Sequence, residues 1–246
     1  MSFTYLLVNF LTVIICFIAS FDRRIRFDRH FGAYLKAAVL AAIPFLAWDV
    51  WFTAHGVWWF NENYTLGLNI AGLPLEEWLF FFCIPFSCVF TFYCLEKFFD
   101  LSWADRFSGI LAGLAVSVCF VVAVLFREKM YPLVTALSTI VVVLYLYFIA
   151  KVKWLGRASF AFLVLMPGFF FTNGILTGTG LASPIVNYNP AQILNIRMLT
   201  IPIEDSVYGY TQFLLVVFLF RKFQQPAVQK APSEALVASK KYAYES

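Results

Sequence analysis

Pro74-Leu-Glu-Glu-Trp-Leu-Phe80 opens an apolar run that reaches Leu95, and the pattern returns 128 residues later as Pro202-Ile-Glu-Asp-Ser-Val-Tyr208, again ahead of an apolar run. A proline followed by adjacent acids suits the first turn of a helix, where the missing N–H is harmless and the dipole end is positive. The runs behind the two strings are long enough to cross a bilayer, which takes about 20 apolar residues. Working outward, Phe60-Asn61 returns as Tyr188-Asn189 at the same offset, and Trp48-Asp49 and Gly56 return as Thr172-Asn173 and Gly180 at an offset of 124. One four-residue insertion reconciles the two offsets. The chain is therefore read as an internal repeat whose unit carries an Asp or Asn, a Gly, an aromatic-Asn pair and a Pro-x-acid-acid string.

The composition around these strings excludes a water-soluble fold. Of 246 residues 62% are hydrophobic, 20% aromatic and only 13% charged, about half the charge of a soluble domain. Seven apolar stretches are read as transmembrane helices: 4–21, 34–54, 74–95, 107–126, 130–150, 158–175 and 198–220. The fold class that follows is an all-α polytopic membrane bundle. Its expected organisation is a first three-helix repeat over 1–100, a linking helix over 101–128, a second three-helix repeat over 129–222, and a disordered cytoplasmic tail over 223–246. Three helices per unit would invert the second copy; the linking helix restores its direction and makes the repeats parallel about an axis along the membrane normal.

Charge sets the orientation. Fifteen of the 18 Lys and Arg fall in the connectors after spans 1, 3 and 5 and in the tail, leaving Arg127, Lys129 and Arg197 on the other side. Basic residues collect in cytoplasmic loops, so the N-terminus is expected outside and the C-terminus in the cytoplasm of a multi-pass protein of the cell membrane. The basic residues are scattered, not clustered on one face, so no nucleic acid is expected as a partner. Five cysteines in apolar runs, with no CxxC pair, read as buried small hydrophobes, and two distant histidines do not make a zinc site.

The acids carry the function. Asp49, Glu76, Glu77, Glu204 and Asp205 lie in or beside spans 2, 3 and 7, all toward the outer ends, with Asn173 at the matching place on span 6. Intramembrane carboxylates are costly and point to function. Capping alone would need one acid per helix, not two neighbours about 100° apart. No Lys or Arg shares their depth inside a span; Arg197, at the start of span 7, is the nearest. Acids without cations must be protonated, bind a metal or await a cationic species. A prenyltransferase would need DxxxD-like spacing and basic groups for a diphosphate. A coupled transporter needs acids but no crowd of aromatics. A retinal photoreceptor needs a lysine in a span, and span 7 has none between Met198 and Phe220. Gly178-Thr-Gly180 follows no strand and is a turn, not a dinucleotide fingerprint. What remains is a neutral carboxylic acid that protonates an alkene, becomes a carboxylate beside the carbocation, and is assisted by aromatic faces. Five of seven Trp (48, 51, 58, 59 and 78) lie beside three of the acids, although an interfacial aromatic belt would place them there too.

Trp48-Asp49, Gly56-Val57-Trp58, Phe60-Asn61 and Pro74-Leu75-Glu76-Glu77-Trp78-Leu79-Phe80-Phe81 resemble the first half of the membrane-integral lycopene cyclases. Asn173-Gly-Ile-Leu-Thr177, Ile185-Val-Asn-Tyr-Asn189 and Pro202-Ile-Glu-Asp205 resemble the second half, so the likeness covers about residues 1–222. In that family the two units occur as separate subunits or fused. The resemblance implies closure of the open ψ ends of lycopene to β-ionone rings, a non-redox isomerisation giving γ-carotene or β-carotene with no cofactor and no metal. Glu76 and Glu204 are expected as the acid or electrostatic positions, with Glu77 and Asp205 as proton partners or caps and Asp49 as base or relay. Trp48, Trp58, Phe60, Asn61, Trp78, Asn173, Tyr188 and Asn189 are expected to bind substrate. The expected partners are lycopene, membrane lipids and other membrane enzymes of the carotenoid pathway.

Overall fold

The computed structural model describes residues 3–224. The expectation of a disordered tail falls, from 225 on, outside the described residues; Phe223 and Gln224 still belong to the last helix. Seven helices carry the fold: α1 (Thr4–Ala19), α2 (Phe31–Ala54), α3 (Leu75–Phe98), α4 (Ser108–Leu125), α5 (Met130–Leu144), α6 (Leu155–Leu176) and α7 (Ile203–Gln224). All but α1 are long and apolar enough to cross a membrane once the turns that extend α2, α4 and α5 are included. α1, expected over 4–21, has only 16 helical residues. α5 continues through a π-helical turn, Tyr145–Ile149. The architecture is an all-α membrane bundle.

Six short strands interrupt the helices on one side of the bundle. β1 (Trp58–Phe60) pairs with β4 (Val186–Tyr188), β2 (Asn69–Ile70) with β3 (Leu73–Pro74), and β5 (Arg197–Met198) with β6 (Ile201–Pro202). The last pair corrects the start of the seventh span, expected at 198. Residues 197–202 form a hairpin, and the helix begins at Ile203. Met198, Leu199 and Ile201 make that hairpin as apolar as a helix, so hydropathy alone extends the span through it. Leu199 bends the chain with φ 58, as Ala71 does with φ 53 in the β2–β3 hairpin.

The repeat is visible in the hydrogen bonds. Leu75 N donates to Leu68 O at 2.8 Å and Ile203 N to Ile196 O at 2.9 Å; Asn61 N donates to Ile185 O and Asn189 N to Val57 O, both at 2.8 Å. Each member of a pair lies 128 residues from its counterpart. In the β1–β4 ladder Trp58 faces Tyr188, Trp59 faces Asn187 and Phe60 faces Val186. Trp58 therefore pairs with the copy of Phe60, Phe60 with the copy of Trp58, and Trp59 with its own copy, as a two-fold axis between Trp59 and Asn187 requires.

α3 and α7 cross near the centre, with α1 against α3, α2 against both α3 and α7, α5 against α7, and α4 outside α5. Within the bilayer, side-chain hydrogen bonds and small residues join helices in place of a hydrophobic driving force. Asn9 Nδ2 donates to Glu76 O at 2.8 Å and Ser87 Oγ to Thr12 O at 2.8 Å, fastening α1 to α3; Thr139 and Thr211 hydroxyls lie 2.7 Å apart between α5 and α7. At the end remote from the strands Arg157 bridges Glu96 (3.0 Å) and Asp105 (2.8 Å), and Arg221 also binds Glu96. There α6 starts so close to the preceding turn that a Cβ on Gly156 would lie 2.0 Å from Ala104 O, so only glycine fits.

Candidate active site

The adjacent acids separate by helical phase. Glu76 turns its Oε1 back to the loop ahead of α3 and accepts from Leu66 N at 2.6 Å; Glu204 does the same with Leu194 N at 2.6 Å ahead of α7. The two contacts are copies of each other, 128 residues apart, and each ties a hairpin loop to a helix N-terminus. Neither side chain lines the cavity of the bundle. Glu77 and Asp205 do, one helical step of about 100° further round.

That cavity encloses about 410 Å³, within the size range of small-molecule sites. At its head stand Asp49, Glu77 and Asp205, all buried. Tyr5, at the start of α1, donates its hydroxyl to Glu77 Oε2. Tyr131, at the corresponding place on α5, donates to Asp205 Oδ1 at 2.7 Å, and Tyr188 donates to Asp205 Oδ2 at 2.8 Å. Trp58 Nε1 donates to Asp49 Oδ1 at 2.6 Å. Asp49 Oδ2 meets no donor among the described residues, and the Asp49 and Glu77 carboxyls share the buried head of the cavity. Asp205 accepts from two phenols, where Glu77 accepts from one. Burial, reinforced by the Asp205 charge, pushes the Tyr188 hydroxyl well above its ordinary pKa, so it remains a donor.

The two halves are thus unequal copies. Asn173 occupies the place of Asp49 and turns its amide to Phe169 O at 3.4 Å; Phe60 occupies the place of Tyr188 and brings no hydroxyl. No Lys, Arg or His lines the cavity. Lys129 is drawn to Ile193 O at 2.6 Å and Arg197 to Thr200 O, the latter with its guanidinium 5.8 Å from the Tyr188 ring.

Strand alternation builds the roof. Successive side chains of a strand point to opposite faces, so Trp58, Phe60, Val186 and Tyr188 turn toward the acids and line the cavity, while Trp59 points away and is 48% exposed. Asn61 and Asn189 hold the roof together. Asn61 Nδ2 donates to Pro184 O at 3.3 Å and Asn189 Nδ2 to Gly56 O at 3.2 Å, each clasping the opposite copy.

Of the residues expected from sequence, Asp49, Trp58, Phe60, Glu77, Asn173, Tyr188 and Asp205 line the cavity, whereas Trp48, Asn61, Glu76, Trp78, Asn189 and Glu204 do not. Trp48 packs between α2 and α7 with its ring 4.8 Å from Tyr208, and Trp78 Nε1 donates to Ile70 O at 3.1 Å. Tyr5, Tyr131 and Tyr208 were not anticipated. The signal for the first two was present: a tyrosine near the start of both span 1 and span 5, 126 residues apart. No cluster of three or more His, Cys, Asp or Glu able to hold a metal occurs among the described residues.

A family model described as lycopene cyclase matches residues 2–95 and 128–223, the two segments that flank α4. No curated protein and no solved structure matches the chain.

Proposed function

We propose, from the premise that the chain belongs to the lycopene cyclase family, that it closes the ψ ends of lycopene to β-ionone rings by acid-initiated carbocation cyclisation. The observation that carries this reading is the apolar cavity headed by three buried carboxyls with no cation among its lining residues. Such a site suits a neutral hydrocarbon that becomes cationic only during reaction.

The steps balance without an oxidant or reductant. The Asp49–Glu77 pair holds one shared proton and delivers it to the terminal double bond of the substrate, leaving a tertiary carbocation and a carboxylate pair. The neighbouring double bond attacks that cation, the ring C–C bond forms, and the positive charge moves into the ring. Asp205, kept as an acceptor by Tyr131 and Tyr188, removes a ring proton and restores a double bond. Product and substrate are isomers, and the proton returns from Asp205 to the pair. Carboxylates fixed beside developing positive charge lower the barrier in a dry site, and the Trp58 and Tyr208 faces add cation–π attraction. Glu76 and Glu204 are assigned to holding the loops.

Expression in cells that accumulate lycopene tests the reading. A shift from red to orange, with cyclised carotenoid on chromatography, is the expected outcome; unchanged pigment would defeat it and favour an ion-coupled transporter built on the same acids. The distribution of Lys and Arg supports an N-terminus outside and a C-terminus in the cytoplasm of the cell membrane. A reporter fused after Ser246 is expected to be active in the cytoplasm, and an external signal would overturn that orientation.

A further inference from the structure

The cavity does not stop at the acids. Its lining descends α3 from Glu77 to Thr91, a fall of fourteen residues or about 21 Å, and it follows α7 from Asp205 to Val216 and α6 from Leu176 to Phe162. This is far more depth than the ring-forming end of a substrate would occupy. Below the acids the walls are mainly apolar, with Thr12, Ser87, Thr91, Thr172 and Gln212 the polar exceptions, and the groove runs between α1 and α6. Residues of its lining are open at the surface of the bundle: Ile15 of α1 is 74% exposed, Leu11 45% and Phe171 of α6 60%. Those exposures face the lipid.

The repeat supplies a comparison inside the molecule. The counterpart of this groove in the other half would lie beside α2, where Trp48 stands in place of Thr172. The Trp48 ring fills that space against Tyr208 (4.8 Å), Phe52 (5.4 Å) and Phe45 (5.9 Å). On the α6 side, Thr172 is the smaller residue, and its hydroxyl lies 3.2 Å from that of Thr12 of α1. One helical turn lower in the groove wall, Gly168 lines the cavity, and a Cβ there would meet nothing within 4 Å.

We propose that the groove between α1 and α6 is the single entrance from the bilayer and the binding site for the polyene chain trailing behind the reacting end, with Gly168 setting the width of the passage. The inference rests on the proposed cyclase reading. The occupant follows from continuity: a polyene whose end reaches Asp49, Glu77 and Asp205 must have its remainder somewhere, and this groove runs from those acids to exposed residues of α1 and α6. Both ends of one molecule are then processed by the same acids in successive visits.

The test uses full-length protein in phosphatidylcholine vesicles loaded with lycopene. Gly168→Leu is expected to lower kcat/KM about 10-fold or more, through KM, as a misplaced side chain does in an apolar pocket. Gly113→Leu, at an equally open and lipid-facing glycine of α4, is expected to match the parent. Substrate retention gives a readout independent of turnover: Glu77→Gln protein should purify with bound lycopene, and the Glu77→Gln/Gly168→Leu double variant should lose it. Ile15→Trp narrows the groove from the opposite wall at an exposed residue and is expected to behave like Gly168→Leu, which guards against a folding defect in either one. Undiminished lycopene on the double variant overturns the groove, whatever the rates. Failure of the parent to consume lycopene, together with failure of Glu77→Gln to retain it, overturns instead the cyclase reading on which the groove depends.

Discussion

Replacing Glu77 by Gln is expected to lower cyclisation about 10²–10⁴-fold, the range that loss of a positioned general acid produces. Glutamine keeps the shape and still accepts the Tyr5 hydroxyl, but it cannot carry the acidic proton that the proposed mechanism assigns to the Asp49–Glu77 pair. Glu76→Gln is expected within a few-fold of the parent, because the amide oxygen can still accept from Leu66 N and the side chain lies outside the cavity. Initial rates of lycopene loss in the two variants measure the contrast directly. The opposite ranking, with Glu76→Gln inactive and Glu77→Gln competent, would return the acid role to the residues that the sequence alone favours.

Asp205→Asn carries the second large effect. The substitution removes the carboxylate proposed to take the ring proton, and it sets an amide N–H₂ against Tyr131 or Tyr188, each of which already donates to this side chain. Loss of one fixed electrostatic group costs about 10²–10³-fold in turnover. The single shared cavity adds a sharper expectation. Residues that act as one unit are grossly non-additive, so Glu77→Gln/Asp205→Asn should be little worse than the more damaging single change. Two separate sites, one per repeat, would instead leave each single variant able to form one ring, and monocyclic product from both would refute the shared chamber.

Much of the fold was legible because the bilayer constrains it so strongly. Spans of apolar residues and the copied Pro-x-acid-acid string lead to an all-α membrane bundle without reference to packing. The convergence of Asp49, Glu77 and Asp205 follows from the same logic. What sequence cannot supply is rotation about a helix axis. Glu76 and Glu77 are chemically equivalent on paper, and only the direction of α3 as it leaves Pro74 decides which one caps a loop and which one faces the cavity. The hairpin at 197–202 escaped for another reason, since its side chains are as apolar as those of the helix behind it. Tyr5 and Tyr131 look like belt aromatics in a list and become donors to the acids only when the repeat is superposed on itself. Asn61 and Asn189 were conspicuous for the right reason, their repetition, but what they recognise is backbone of the opposite half.

The ladder of β1 and β4 has a consequence for how this chain can vary. Connecting loops usually accept insertions and deletions more readily than the elements they join. Here Trp58, Phe60, Val186 and Tyr188 share one face only because two strands of three residues meet in one register. A slip of one residue in a strand turns every side chain to the other face. A single residue gained between Ala54 and Trp58, or lost between Leu176 and Val186, would carry Trp58 away from Asp49 or Tyr188 away from Asp205 and set Val57 or Asn189 in its place. The register of this ladder is therefore held as closely as the composition of its inward face.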